Sequence, residues 1–237
     1  MSDESPLILG VPSKGRLMDQ TRDVFAAKGL VFKKDGNERG YRGTIDGLDN
    51  VEVTYLSASE ISHYLKTGRI HMGVTGEDLM REHIRDFKRI ISRSQPLNFG
   101  HADVVVAVPS SWIDVTTMND IEDVAATFHH VHDRRLRVAT KYMGLTRQFF
   151  SDRGISSYRI VESLGATEGT PTAGTAEIIV DITSTGQTLK ANHLKILDDG
   201  IILKSQANMF VSNMADWTDR AASGRDEVLE RFAPDPE

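Results

Sequence analysis

Residues 21–30, TRDVFAAKGL, recur as residues 146–155, TRQFFSDRGI, with Thr, Arg, Phe, a basic residue, Gly and an aliphatic residue at identical spacing. Each copy follows a strand-like apolar run that ends in a lysine, Lys14 in the first copy and Lys141 in the second. A strand, a lysine and a helix ending at glycine is one α/β unit. The chain therefore carries this unit twice.

A second echo follows in the same order. Residues 67–74, TGRIHMGV, resemble residues 173–180, AGTAEIIV, in having glycine at the second position and a strand-like run that ends in valine. Repeated supersecondary units indicate a duplicated architecture. We expect two similar α/β lobes, the first formed by residues 1–106 with 195–237 and the second by residues 107–194. A cleft between two such lobes would suit a small ligand.

Apolar runs alternate with helical patterns along the whole chain, which is typical of an α/β fold. The predicted strands are 7–11, 51–56, 71–74, 103–108, 136–139, 158–162, 178–181, 194–197 and 201–204. The predicted helices are 17–28, 59–66, 146–153 and a closing helix near 214–232.

The composition excludes several classes of protein. The chain has 237 residues, of which 39% are hydrophobic, no cysteine and a formal net charge of −6. Disulfides and thiolate metal sites are therefore excluded, and the acidic balance argues against general nucleic-acid binding. No apolar run is long enough to span a membrane, and the N-terminus lacks the pattern of a secretory signal. We expect a soluble cytoplasmic protein.

The segment 165–176, GATEGTPTAGTA, is the densest in glycine and hydroxyl residues. Such a loop can turn several backbone N–H groups toward one phosphate, although the same composition is common in plain surface loops. Asp181, at the end of the next strand, could accept hydrogen bonds from sugar hydroxyls, hold Mg²⁺ through water, or merely cap a turn.

Cations follow equivalent strands in both lobes: Lys14 and Arg16 in the first, Lys141 in the second. They suit a ligand with several phosphates, although each alone could be a solvated surface charge. The cluster His129-His130-x-His132-Asp133 lies in a stretch that we interpret as a polar loop, so no metal-ligating residue is assigned.

One long motif begins at Glu168 and reads EGTPTAGTAEIIVDITSTGQTLKANHL through residue 194. It resembles the signature of the ATP phosphoribosyltransferase family. Three further segments match in the family's order: 14–17, KGRL; 73–79, GVTGEDL; and 138–147, VATKYMGLTR. The resemblance covers most of residues 7–204.

The resemblance implies two lobes of the type II periplasmic-binding-protein kind and a transfer of phosphoribosyl from phosphoribosyl pyrophosphate to N1 of ATP adenine, in histidine biosynthesis. It implies that Lys14, Arg16 and Lys141 act on the pyrophosphate and the ATP phosphates, with Mg²⁺ bound to the substrate phosphates. The implied substrate-binding residues are Gly76, Tyr142, Glu168, Thr170, Thr172, Ala173, Gly174, Thr175, Ala176 and Asp181.

The chain departs from the family pattern at residues 57–62, SASEIS, where a basic residue and Asp-Ile-Pro are usual. Arg39 or Arg42 could supply the missing contacts to ATP. Only 42 residues follow Lys195, so we expect the short form of the family, a dimer within a hetero-oligomer whose partner is a regulatory protein resembling histidyl-tRNA synthetase. Two alternatives stay open: a Rossmann-like phosphoribosyltransferase, and a two-lobed solute-binding protein without catalysis.

Overall fold

A computed structural model describes residues 5–34 and 41–233. By its contacts the chain divides into two compact units, the first running to Gly100 and resuming at Gln206, the second spanning His101–Ser205. The chain passes from one unit to the other at 100–101 and at 205–206, whereas the expected boundaries are at 106 and 195. The reason is that two long strands, Ala102–Pro109 and Leu194–Ser205, pair with each other inside the sheet of the second unit.

The first unit contains a seven-stranded mixed sheet in the order β2-β3-β4-β1-β5-β12-β6. Strand β1 runs parallel to β4 and β5, and the remaining pairs are antiparallel. The strands are β1 (Leu7–Pro12), β2 (Phe32–Lys34), β3 (Arg42–Ile45), β4 (Leu48–Leu56), β5 (Met72–Gly76), β6 (Ile91–Pro96) and β12 (Ala207–Ser212). The helices are α1 (Gly15–Ala27), α2 (Ala58–Thr67), α3 (Glu77–His83), α4 (Phe87–Ile90) and α8 (Asp219–Arg231).

The second unit contains a five-stranded mixed sheet in the order β11-β7-β10-β8-β9. Strand β8 runs parallel to β9 and β10, whereas β7 is antiparallel to β10 and β11. The strands are β7 (Ala102–Pro109), β8 (Leu136–Thr140), β9 (Tyr158–Glu162), β10 (Ile178–Thr183) and β11 (Leu194–Ser205). The helices are α5 (Met118–His132), α6 (Met143–Ser151), α7 (Gln187–Ala191) and a 3-10 turn at Thr167–Gly169.

The first echo is confirmed in atomic detail. Thr21 and Thr146 are both buried, and each hydroxyl donates to the carbonyl four residues earlier, at 2.7 and 2.6 Å. Gly29 and Gly154 lie in the turns that follow α1 and α6, and both have a positive φ, 76° and 75°. A side chain is disfavoured in that conformation, which explains the glycine in both copies.

The second echo holds for the order of elements but not for the register. Gly73 lies opposite Gly10 in the first sheet, whereas its sequence counterpart Ile179 lies opposite Ala139. With Lys14 aligned to Lys141, Ala139 corresponds to Pro12 and not to Gly10. The two strands are therefore offset by two residues, a shift that leaves each side chain on the same face of its sheet.

Every predicted strand and helix has a counterpart in the structure. Two predicted strands are merged into one, and several observed elements were not predicted. The predicted strands 194–197 and 201–204 form one strand, β11, and the closing helix begins at Asp219. The polar loop expected around His129 is wrong, because this histidine lies in the last turn of α5. The elements that were not predicted are β2, β3, β6, β12, α3, α4, α5 and α7. No helix among the described residues is long and apolar enough to cross a membrane.

Candidate functional site

The second unit encloses a cavity of about 440 Å³ at the ends of β8 and β10. Lys141 reaches it from the end of β8, Glu168 from the 3-10 turn and Asp181 from β10. The cavity is lined by Lys141, Leu164, Gly165, Ala166, Thr167, Glu168, Asp181, Ile182, Thr183, Ser184, Thr185, Thr188 and Leu189. Three of the charged residues singled out in the sequence thus converge, although they are up to 40 positions apart.

Asp181 carries an unusual carboxylate. Burial raises its pKa, and the nearby negative charge of Glu168 raises it further. The Ile182 N–H, which donates to Oδ1 at 2.8 Å, and the positive charge of Lys141 offset this only in part. A half-buried carboxylate beside a second carboxylate would be stabilised by a cation or by hydroxyl donors from a ligand.

The segment between β9 and β10 contains, near its start, backbone N–H groups that donate no hydrogen bond within the described residues. Within the part of the chain that the structure describes, the N–H groups of residues 165–168 have no hydrogen-bond partner. Ala166 is in the left-handed conformation, with φ 50° and ψ 38°. Successive N–H groups around a left-handed residue form a concavity that binds anions. Segment 165–176 is a candidate phosphate-binding loop by its sequence, and its open donors lie in residues 165–168.

The later part of the same segment uses its donors internally. The N–H groups of Ala173, Gly174 and Thr175 donate to the carbonyls of Gly169, Pro171 and Thr170 at 3.0–3.1 Å. Five predicted residues lie in this coiled stretch, and a sixth, Ala176, is buried in the core of the unit: Thr170, Thr172, Ala173, Gly174, Thr175 and Ala176. None of the six lines the cavity.

An ion-pair network fastens that coiled stretch to β8. Glu177 accepts from Arg137 Nη2 at 2.6 Å and from Arg134 Nη2 at 3.0 Å, and Arg137 also donates to the Gly174 carbonyl at 2.8 Å. Burial would raise the pKa of Glu177, but the hydrogen bonds from Arg137 and Arg134 outweigh it and lower the pKa to about 2. The network therefore holds the end of the loop while its beginning borders the cavity.

Tyr142 lies beneath the site and does not line it. Its side chain is buried, its N–H donates to Thr140 Oγ1 at 2.8 Å, and the residue begins α6. Lys141 Nζ lies 4.9 Å from the centre of the Tyr142 ring. Tyr142 thus helps to position Lys141, by a cation–π contact and by anchoring the start of the helix.

The remaining predicted residues belong to the first unit. Lys14 precedes α1 and is exposed, as is Arg16, while Gly76 precedes α3 and pairs with Ala207 of β12. Arg42 is exposed and forms an ion pair with Glu52 at 3.3 Å. Arg39 lies outside the described residues.

The departure at residues 57–62 has a structural role. Ser57 caps α2 by accepting from the Glu60 N–H at 3.2 Å, and the Glu60 side chain accepts from the Ser57 N–H at 2.8 Å. This reciprocal pair is a capping box. The pattern Ser-x-x-Glu could have been recognised in the sequence.

Sequence reasoning also missed the hydroxyl side of the cavity. Thr183, Ser184, Thr185 and Thr188 line it, although they were not among the predicted site residues. The signal was available, because a run of hydroxyl residues directly follows the buried half of β10 and leads into α7.

Comparison with known proteins relates this chain to one family. The family model HisG, described as ATP phosphoribosyltransferase, matches residues 57–233. An ATP phosphoribosyltransferase of Bradyrhizobium diazoefficiens is 57% identical over 229 residues, which cover 97% of this chain and 70% of the relative. An ATP phosphoribosyltransferase of Rhodopseudomonas palustris is 57% identical over 228 residues, 96% of this chain and 70% of the relative.

Solved structures show the same architecture. The ATP phosphoribosyl transferase (HisG:HisZ) complex of Thermotoga maritima matches with a TM-score of 0.70 and 25% identity, covering 95% of each chain. A histidine kinase sensor domain similar to periplasmic binding proteins matches with a TM-score of 0.52 and 14% identity, covering 96% of this chain and 86% of that one. The expected periplasmic-binding-protein-like fold is confirmed.

Proposed function

Because the chain belongs to the ATP phosphoribosyltransferase family, whose reaction opens histidine biosynthesis, we propose that the cavity of its second unit binds phosphoribosyl pyrophosphate. The observation that carries this assignment is the convergence of Lys141, Glu168 and Asp181 on one cavity bordered by open backbone donors. Phosphoribosyl pyrophosphate has a phosphate, a sugar and a pyrophosphate. Backbone donors and a lysine suit its phosphate groups, and carboxylates suit its sugar hydroxyls and a bound cation.

The phosphate contacts come from the backbone and from one cation. The open N–H groups of residues 165–168 and the hydroxyls of Ser184 and Thr188 bind phosphate oxygens. Lys141, which lines the same cavity, adds a full positive charge. We thus assign the cradle to residues 165–168, and the stretch from Thr170 to Ala176 supports it from behind.

The two carboxylates take the sugar and Mg²⁺. Asp181 and Glu168 face the cavity with little internal neutralisation, which fits a metal ion that one or two carboxylates hold together with substrate phosphates. Mg²⁺ bound there would neutralise charge on the departing pyrophosphate. The same carboxylates can accept hydrogen bonds from ribose hydroxyls.

The reaction makes few demands for proton transfer. Adenine N1 carries a lone pair and no proton, so it attacks C1 of the ribose directly while the bond to pyrophosphate breaks. The residues then act by aligning the two anions and by stabilising the charge that develops on the leaving group. Lys141 serves the pyrophosphate, and Lys14 and Arg16 of the first unit bind phosphates of ATP.

The protein's assembly is part of the proposal. The matched solved structure is a HisG:HisZ complex, and the similarity covers 95% of this chain and 95% of the matched chain. We assign the chain to the short form, a dimer within a cytoplasmic hetero-oligomer that contains a regulatory protein resembling histidyl-tRNA synthetase. Feedback inhibition by histidine then requires that partner.

A product assay tests the assignment. The purified chain is incubated with ATP, phosphoribosyl pyrophosphate and Mg²⁺, with pyrophosphatase to remove the pyrophosphate, and phosphoribosyl-ATP is measured with and without histidine. We expect product that histidine fails to reduce. Phosphoribosyl pyrophosphate binding without any product, alone or with the partner, would favour the solute-binding alternative.

A binding assay tests the residues. Lys141→Ala should weaken phosphoribosyl pyrophosphate binding and leave ATP binding nearly unchanged, and Arg16→Ala should do the reverse. Arg85→Ala, an exposed arginine of the first unit, is the control. Equal effects of both variants on both substrates would contradict the division of roles.

A further inference from the structure

A second concave surface of the second unit lies apart from the proposed substrate cavity. It is an open groove of about 790 Å³ that shares no residue with that cavity. Its lining includes Arg135, Arg147, Tyr158, Arg159 and Ile160. We call it the β9 groove.

Three arginines give this groove a strong positive charge. Arg135 directly precedes β8, Arg147 lies in α6 and Arg159 lies in β9, and all three are exposed. Within residues 41–233 none of them forms an ion pair, although the neighbouring Arg134 and Arg137 share Glu177. In a chain of net charge −6, three guanidinium groups without carboxylates form a site for external oxyanions.

The groove also runs along an open sheet edge. Strand β9 is the last strand of its sheet, and its neighbour there is β8. The Ser163 N–H donates to the Thr140 carbonyl, so the backbone groups of Arg159 point toward β8 as well. By alternation, the N–H and C=O groups of Tyr158 and Ile160 point away from the sheet, along the groove. An added strand could pair with them.

We propose that the β9 groove binds an extended acidic segment of a partner protein, which adds to the sheet beside β9. The open backbone groups give the segment its strand conformation, and Arg135, Arg147 and Arg159 bind its carboxylates. A two-fold pairing of β9 with β9 of a second copy is disfavoured, because it would bring both sets of arginines together. This inference is independent of the proposed function.

Charge on an edge strand has a second general role, which is to prevent edge-to-edge aggregation. That role predicts no specific binding of acidic peptides. The two explanations therefore differ in a measurable way.

The test uses a fluorescently labelled peptide, acetyl-TEVEVET-amide, and its lysine analogue acetyl-TKVKVKT-amide, measured by fluorescence anisotropy on the full chain. We expect the acidic peptide to bind and the basic one not to bind. Charge reversal at Arg147→Glu together with Arg159→Glu should weaken binding by more than about tenfold. Arg85→Glu in the first unit and Lys141→Ala in the substrate cavity should leave it unchanged.

Hydrogen exchange supplies the second measurement. The amides of Tyr158 and Ile160 should exchange more slowly when the acidic peptide is bound, as paired strand amides do. Four results would each overturn the proposal: equal binding of both peptides, binding unaffected by the arginine reversals, binding with unchanged exchange at β9, or a dimer of this chain that the reversals abolish.

Discussion

The two units share one strand order and differ in how one connection is built. The order β4-β1-β5-β12 in the first sheet matches β9-β8-β10-β7 in the second, with the same parallel and antiparallel pairs. Between β4 and β5 the first unit has the ten-residue helix α2. Between β9 and β10 the second unit has a loop with a three-residue 3-10 turn.

That difference decides which unit has a cavity at this place. Ile61 and Leu65 of α2 are fully buried, and a Cβ added at Gly73 would lie 2.7 Å from Ile61 Cγ2. The helix thus closes over the first sheet. In the second unit the short turn leaves about 440 Å³ beside Glu168 and Asp181. One scaffold therefore provides a packed core where a helix covers the sheet and an open cavity where a loop replaces it.

The shared part of the comparison is tested by the paired phenylalanines. Phe25 and Phe150 are fully buried at the same position of the repeat, so Phe25→Ala and Phe150→Ala should each lower the free energy of unfolding by about 3–5 kcal/mol. Trp217 reports on the first unit and Trp112 on the second, so urea unfolding of Trp112→Phe and Trp217→Phe backgrounds assigns each loss.

Val31→Ala and Val131→Ala, at exposed valines of the two units, are the matched controls. Similar packing should give similar losses in the free energy of unfolding. A difference of more than about 2 kcal/mol between Phe25→Ala and Phe150→Ala would show that the two copies of the repeat are not equivalent.

The functional part is tested at Asp181. Asp181→Asn should reduce kcat/KM for phosphoribosyl pyrophosphate by about 100-fold, because it removes a charge proposed to serve Mg²⁺ and ribose. Stability should be unchanged or higher. The raised pKa of Asp181 means that ionisation costs folding free energy above the unfolded pKa, and asparagine has no such cost.

Asp123→Asn on the exposed face of α5 is the control for this substitution. A variant that loses stability as well as activity would show that Asp181 is mainly structural.

The support of the loop is tested at Glu177. Glu177→Gln should destabilise the second unit by about 2 kcal/mol at pH 7, since two guanidinium groups lose their charged acceptor. The pKa of Glu177 is about 2 in the fold, against 4.5 as its ordinary value. Its contribution is therefore complete above pH 4.5 and is lost as the pH falls toward 2.

Unfolding curves of the wild type and of Glu177→Gln should thus converge in this acid range. Glu122→Gln, at an exposed position of α5, should run parallel to the wild type. A constant gap at all pH values would contradict the ionic explanation.

The smallest effect is expected at the cap of α2, the helix whose place between two strands is taken by a loop in the second unit. Ser57→Ala removes one side of the capping box and should cost about 1 kcal/mol, measured by urea unfolding. Ser57→Asp should restore most of the loss, because aspartate is an equally good cap. Equal stability of the wild type, Ser57→Ala and Ser57→Asp would show that the cap does not stabilise α2.

The sequence alone determined the repeated unit, its strands and the nature of the chemistry. Thr21 with Thr146, and Gly29 with Gly154, could be matched by eye because local backbone geometry requires those residue types at those positions. The family motif from Glu168 to Leu194 was equally plain, since it is a property of the residue order.

Tertiary structure decided which part of the segment 165–176 borders the cavity. The same glycine- and threonine-rich composition serves two purposes: residues 165–168 keep their N–H groups open, while Ala173 to Thr175 use theirs within the turn. Composition cannot separate these states, because hydrogen bonding depends on how the chain coils. Lys141, Glu168 and Asp181 meet only because β8 and β10 are neighbours in the sheet, a pairing between distant parts of the chain.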